Sequence, residues 1–175
     1  MNELAVTHAR GRPVPPPTDR LAALESAFAT HGWTPGPTPT TTAPGSGGGP
    51  PALTGAEADR LAEVAAELRP IFTGAPGTLN QLLVRHGAVP NLHGDPPILA
   101  FHAPGADLVD AWAADAGTAL AMVIGVGQGL RLRTCEAGGC ELVFFDVTRN
   151  ASRRFCGLSC QNRAKASAYR ARRRA

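Results

Sequence analysis

The stretch Cys135-EAGG-Cys140-ELVFFDVTRNASRRF-Cys156-GLS-Cys160-QNRAKASAYRARRR, residues 135 to 174, decides the fold. It holds all four cysteines of the chain in two close pairs, Cys135-x4-Cys140 and Cys156-x3-Cys160, with fifteen residues between them. Each close pair can supply one edge of a tetrahedron, and the intervening chain is long enough to form a hairpin and return, which is what Zn²⁺ asks of four protein ligands. Two other readings exist for clustered thiols, buried free cysteines or a redox disulfide pair, but paired spacing in a reducing compartment favours a metal. Four thiolates leave no open position for water or substrate, so this zinc is structural rather than catalytic. A segment this short has few large apolar side chains, and metal binding worth about 10–16 kcal/mol in small zinc peptides would supply the stability it lacks.

Within the segment, Leu142 to Phe145 reads as a strand and Thr148 to Ser152 as a turn. From about Cys156 to near Arg174 the pattern is helical. A helix beginning at Cys156 would project both Cys156 and Cys160 from one face of its first turn, where the positive end of the helix favours thiolates. Leu158, Ala166 and Tyr169 would then share a narrow apolar stripe, with Arg163, Arg170 and Arg174 on the side of the cysteines.

Working outward, charge divides the chain. Residues 1–130 carry six Arg against eleven acids, a balance of −5, whereas residues 131–175 carry ten Arg and one Lys against three acids, a balance of +8. An acidic body joined to a basic module suits a polyanion-binding protein. The residues expected to contact nucleic acid are Arg149, Arg153, Arg154, Asn162, Arg163, Lys165, Arg170, Arg172, Arg173 and Arg174, with arginines at phosphates and base reading only if the helix or loop enters a groove. The competing structural reading has Arg149 and Arg153 pairing with Asp146 or with helix carbonyls and locking the finger.

Upstream, Thr18 is placed to cap a short helix through about His31, with Leu21, Leu24 and Phe28 on one stripe and Gly32 as its stop. Residues 34–53 are rich in Pro, Gly and Thr and read as a linker or mobile loop. Thr54 and Glu57 have capping-box spacing ahead of Leu61, Val64, Ala65, Leu68 and Phe72, which predicts a helix ending near Pro70. Thr78 starts a shorter helix with Leu79, Leu82 and Leu83 inward and Gly87 at its end. Val89–His93 and Ile98–His102 read as strands joined by a Gly94-Asp95-Pro96 turn. Asp107 to about Ile124 is the longest helical pattern, with Leu108, Trp112, Leu120 and Val123 available for a core.

At the C-terminus the residues resemble the CGNR zinc finger, which in bacterial proteins described as stress-induced transcription regulators follows an N-terminal region called the ABATE domain. The resemblance rests on the four cysteines, on Phe145 to Asn150, on Ser152-Arg153-Arg154, and on Asn162-Arg163-Ala164-Lys165. It implies a zinc-dependent DNA-binding regulator. Two positions depart from it: Gln161 stands where the signature has glycine, and Phe155 where it has tryptophan. Gln is the better helix former and Phe keeps an aromatic anchor, so the fold should survive both. Helices from Thr54 onward resemble the ABATE pattern, while residues 1–53 lack its opening strand with an Asn-Thr pair.

The expected architecture is therefore α+β. A segment with one short helix (1–33) and a linker (34–53) precede an ABATE-like, mostly helical domain with a β-hairpin (54–130) and a treble-clef-like finger of knuckle, hairpin and helix (131–175). The expected partners are DNA, a second copy of the chain, and an unidentified small-molecule effector of the N-terminal body. The rival is a zinc-stabilised module that binds protein. No enzyme is expected: His86, His93 and His102, with Asp95 and Asp107 nearby, lack a nucleophile, a phosphate loop or a carboxylate pair. Gly125-Val-Gly-Gln-Gly129 is no dinucleotide loop, since Leu130 stands where the third glycine belongs and no βαβ unit follows. With no secretion or lipidation signal and no sufficiently long uninterrupted apolar run, the chain reads as cytoplasmic and free of membrane.

Overall fold

A computed structural model of the chain describes residues 1–30, 53–93 and 96–174. The elements run β1 (His8–Ala9), β2 (Arg12–Pro13), α1 (Arg20–Thr30), α2 (Gly55–Leu68), a 3-10 turn Arg69–Thr73, α3 (Leu79–Arg85), β3 (Asn91–His93), β4 (Ile98–Ala100), α4 (Leu108–Gly125), β5 (Leu132–Thr134), β6 (Val143–Phe145) and α5 (Leu158–Arg172). The strands form antiparallel pairs β1–β2, β3–β4 and β5–β6. This is an α+β protein with a four-cysteine cluster at its C-terminal end.

Local chemistry sets most boundaries. Thr54 Oγ1 accepts from the Glu57 amide and the Glu57 carboxylate accepts from the Thr54 amide, so the capping box forms in full. Asp107 caps α4 by accepting from the Asp110 amide. Two other caps differ from expectation. α1 is capped by Asp19, whose Oδ1 accepts from the Ala22 amide at 2.9 Å, leaving Thr18 outside the helix. Thr78 has helical backbone and makes no side-chain cap, because the 3-10 turn Pro76–Thr78 leads directly into α3. The glycine stop at Gly32, the 34–52 linker and the Gly94-Asp95 part of the hairpin turn lie outside the described residues.

One hydrophobic core joins α1 through Leu24, α2 through Leu61 and Leu68, the 3-10 turn through Ile71 and Phe72, α3 through Leu79 and Leu82, and α4 through Val109 and Leu120. Leu132 of β5 and Val143 of β6 belong to this same cluster. The strand pair next to the cysteines is thus packed on the 3-10 turn, and the change of charge at residue 131 is not a break in the core. α4 is long and apolar enough by composition to cross a membrane. It nevertheless packs against α2 and α3 and carries Asp110 and Asp115, which accept from His86 and His102.

Candidate metal centre

The knuckle between Cys135 and Cys140 is the turn of the β5–β6 hairpin. Leu132 pairs with Phe145, Arg133 with Phe144 and Thr134 with Val143, and the Cys135 amide donates to the Leu142 carbonyl at 2.9 Å. The partner of the Leu142–Phe145 strand therefore lies before the first cysteine, not between the two pairs. Alternation along β6 sends Val143 to the main core and Phe144 toward the cysteine cluster.

A long loop then returns the chain to the knuckle, and Asp146 organises it. Its carboxylate is fully buried and accepts from the Thr148 amide and hydroxyl at 2.8 and 2.6 Å and from the Arg153 amide at 2.7 Å. Burial alone would raise the Asp146 pKa, but these donors and the Arg131 charge hold it below the ordinary value. The Arg131 guanidinium donates to the Asp146 and Thr148 carbonyls, and the Arg133 guanidinium to the Ala151 carbonyl. Arg153 donates to the Phe155 and Cys156 carbonyls and lies over the Phe144 ring at 5.0 Å.

α5 begins at Leu158 rather than Cys156. Cys156 uses its carbonyl for Arg153 and its amide for the Cys135 sulfur at 3.5 Å, and Gly157 carries the chain in extended form into the helix. Cys160 alone stands in the first turn, fully buried.

The four sulfurs lie within 4.8 Å of one another, with Cys140–Cys156 at 3.9 Å and Cys156–Cys160 at 3.6 Å. Zn–S bonds of about 2.3 Å in a tetrahedron require sulfur–sulfur edges of about 3.8 Å, so the cluster fits zinc. A disulfide needs sulfurs about 2.05 Å apart. Burial opposes ionisation of the thiols. At Cys140 that penalty is outweighed by the Arg10 and Leu142 amides and the neighbouring thiols, which bring its pKa down to about 7. Burial, followed by contacts with the other sulfurs, pushes Cys156 up, and burial also raises Cys160. A cation at the centre would offset the burial that opposes ionisation of Cys156 and Cys160.

The N-terminal segment also reaches this site. Arg10 and Gly11 both adopt positive φ, 53° and 83°, forming the tight turn between β1 and β2. The Gly11 amide donates to the Gly139 carbonyl at 2.8 Å, and the Glu141 amide to the His8 carbonyl at 2.9 Å. A Cβ on Gly11 would sit 2.7 Å from the Arg163 guanidinium. The Glu141 carboxylate accepts from the Thr7 and His8 amides and the Thr7 hydroxyl, and Asn2 exchanges two hydrogen bonds with Val143. Arg69 ties three parts together, donating to the Ala5 carbonyl at 3.2 Å and the Glu141 carbonyl at 2.5 Å. Residues 1–14 and Arg69 thus belong to the site, and none was singled out in the sequence.

The expected nucleic-acid residues separate into two groups. Arg153 is committed as above, Arg154 pairs with Glu136 at 2.6 Å, Arg163 donates to the Gly138 carbonyl at 3.0 Å, and Arg173 lies over the Tyr169 ring at 5.9 Å. Arg149, Asn162, Lys165, Arg170, Arg172 and Arg174 are exposed. Asp146 is engaged by the Arg153 amide rather than by its guanidinium. The apolar stripe expected on α5 covers no core, since Leu158 is 76% and Tyr169 55% exposed. Of the histidines, His86 Nδ1 lies 2.8 Å from Asp110 and His102 Nδ1 3.1 Å from Asp115. Asp107 caps α4 and pairs with Arg60, Asp95 lies outside the described residues, and His93 is placed only by its backbone pairing with Ile98.

Fold and site together define a zinc-stabilised module in which a hairpin knuckle and the first turn of a helix supply two thiolates each side of the metal, Cys156 standing just ahead of that turn. The CGNR zinc finger family matches residues 131–173. That match carries the four cysteines and does not extend into the segment read as ABATE-like. No curated protein matches the chain.

Proposed function

We propose that the protein is a cytoplasmic DNA-binding transcriptional regulator of the kind the CGNR resemblance implies, its zinc holding a basic helix against an acidic body that senses an effector or dimerises. One observation carries the reading. α5 has no acidic residue and only Cys160 buried, while Lys165, Arg170 and Arg172 project from it, and Arg174 follows its end, all unpaired among the described residues. Such a helix contributes little to its own core, and its charge is directed at a partner. The reading is non-catalytic: four thiolates fill the metal's coordination, and His86 and His102 are held by carboxylates of α4.

The test is titration of the full-length, zinc-loaded chain with duplex DNA at several salt concentrations. Three to five phosphate contacts give a slope of about −3 to −5 in log K against log salt. Micromolar or weaker binding without a salt slope refutes the proposal.

The alternative, a protein-interaction module, has its own support at the β3–β4 hairpin, where Leu92, Ile98 and Leu99 are 66%, 68% and 56% exposed. A two-stranded hairpin with exposed apolar side chains, Leu92 and Leu99 paired on one face, gains from a partner, and we assign homodimerisation to it. Light scattering of the wild type and of Leu92→Lys tests the dimer, which the DNA-binding reading also allows: a monomeric wild type removes it.

A further inference from the structure

Resting on the DNA-binding reading, we infer that one face of α5 reads base edges in the major groove, with Asn162 and Lys165 as the readers. Leu158, Asn162, Lys165, Tyr169 and Arg172 recur at intervals of four and three residues and so form a single stripe along the helix. All five are exposed. The opposite side holds Cys160, which is fully buried, and Arg163, which donates to the knuckle carbonyl of Gly138. The zinc site thus fixes the rotation of the helix and turns this stripe away from the body.

The chemistry of the stripe selects its occupant. A helical protein partner would want apolar residues at these spacings, but three of the five are Asn, Lys and Arg. No acid lies anywhere on α5, which complements a polyanion. The helix has 15 residues, about 22 Å at 1.5 Å per residue, and an α-helix fits the major groove of about 12 Å. Leu158, at the N-terminal end of the stripe, is 76% exposed and borders a cleft of about 410 Å³ lined also by Ser152, Arg154, Phe155 and Gln161. Asn162 lies in the first half of the helix, the end from which recognition helices contact bases, and Lys165 follows it at the midpoint. Asn matches N6 and N7 of adenine, and Lys matches O6 and N7 of guanine. Arg170, Arg172 and Arg174 lie at the far end, where they meet phosphates.

The experiment is selection of full-length, zinc-loaded protein on a randomised DNA duplex, followed by titration of the selected and a scrambled duplex. Asn162→Ala and Lys165→Ala change exposed side chains on the helix surface, and retained zinc with an unchanged melting temperature confirms the fold. Each should relax preference at one base pair by about tenfold while leaving the scrambled duplex bound within about twofold for Asn162→Ala. Replacing the purine at that pair by its 7-deaza analogue, which removes the major-groove N7 acceptor, should weaken the wild type similarly and the variant no further. Arg172→Ala should weaken both duplexes and lower the salt slope by about one. Salt-dependent binding with no selected motif, or a motif indifferent to both substitutions and to the 7-deaza purine, overturns the base-reading face and leaves DNA binding standing. Absence of salt-dependent binding overturns both.

Discussion

Arg69→Met should loosen the finger from outside it. The Arg69 side chain is 26% exposed and donates to Ala5 of the N-terminal segment and to Glu141 beside the knuckle. Hydrogen bonds from a charged group contribute about 1.5–3 kcal/mol each. Against that, Nε of Arg69 is buried without a partner, an arrangement that costs about 1–3 kcal/mol and disappears in the variant. Methionine keeps much of the apolar stem, so packing on the 3-10 turn changes little. The net loss is about 2 kcal/mol, or about 4–8 °C in melting temperature for a chain of this size.

The same loss should appear in zinc affinity. Glu141 follows the ligand Cys140, so the Arg69 contact is made one residue from the metal site. If the contact is made in the metal-bound state alone, about 2 kcal/mol corresponds to a weakening of up to about thirtyfold. Competition with a chromophoric chelator measures this beside thermal unfolding. Arg60→Met is the control, because it breaks pairs with Asp107 and Asp110 that are about half exposed and should cost less than about 1 kcal/mol. An Arg69→Met protein that melts within about 1 °C of wild type and gives up zinc at the same chelator concentration would refute the reasoning.

Three further outcomes are expected. Cys160→Ser should abolish stoichiometric zinc binding and unfold the start of α5, read by metal analysis and far-UV circular dichroism, because the buried sulfur is the metal ligand that α5 supplies. Leu132→Ala should cost about 2–4 kcal/mol in holo-protein stability, since its side chain is 8% exposed in the main core, and a change below about 0.5 kcal/mol would show that the hairpin is not integral to it. Acid should release the N-terminal segment through Glu141. Its pKa is lowered from 4.5, first by the Thr7 amide and then by the Thr7 hydroxyl and His8 amide, against a desolvation cost. A depressed carboxylate contributes stability above its unfolded value and loses it as pH falls through the folded value. The Thr7 and His8 amides should therefore lose exchange protection below the ordinary glutamate range, and in Glu141→Gln that acid-dependent loss should vanish.

What the sequence disclosed depended on how far apart the partners stand along it. The Thr54–Glu57 box, the Asp107 cap and the two cysteine pairs each place interacting groups within five residues, so spacing alone implied their geometry. The match of close thiols to a tetrahedron is of the same kind. α5 starts two residues later than the spacing predicts because Cys156 spends its amide and carbonyl on Cys135 and Arg153, and no local pattern distinguishes that from a first helical turn. Arg153, Arg154 and Arg163 read as phosphate contacts because composition counts charge without showing where it is used. Once folded, their donors serve carbonyls and Glu136.

The N-terminal contacts were invisible for a stronger reason. Asn2 and Val143 are 141 residues apart, Thr7 and Glu141 134, and Arg69 and Glu141 72. Their hydrogen bonds use backbone groups that any residue would offer, and Arg10-Gly11 is a weak turn signal beside strands of two residues each. These contacts nonetheless change how the zinc site must be understood. Ligand spacing describes a self-contained finger, but this one shares Leu132 and Val143 with the main core, receives an amide from Arg10 at Cys140, and is tied through Arg69 to the helical body. Residues 131–175 alone would lose all three supports. An isolated finger should therefore bind zinc more weakly than the whole chain, and equal affinity in the two would mean that the N-terminal segment rests on the knuckle without stabilising it.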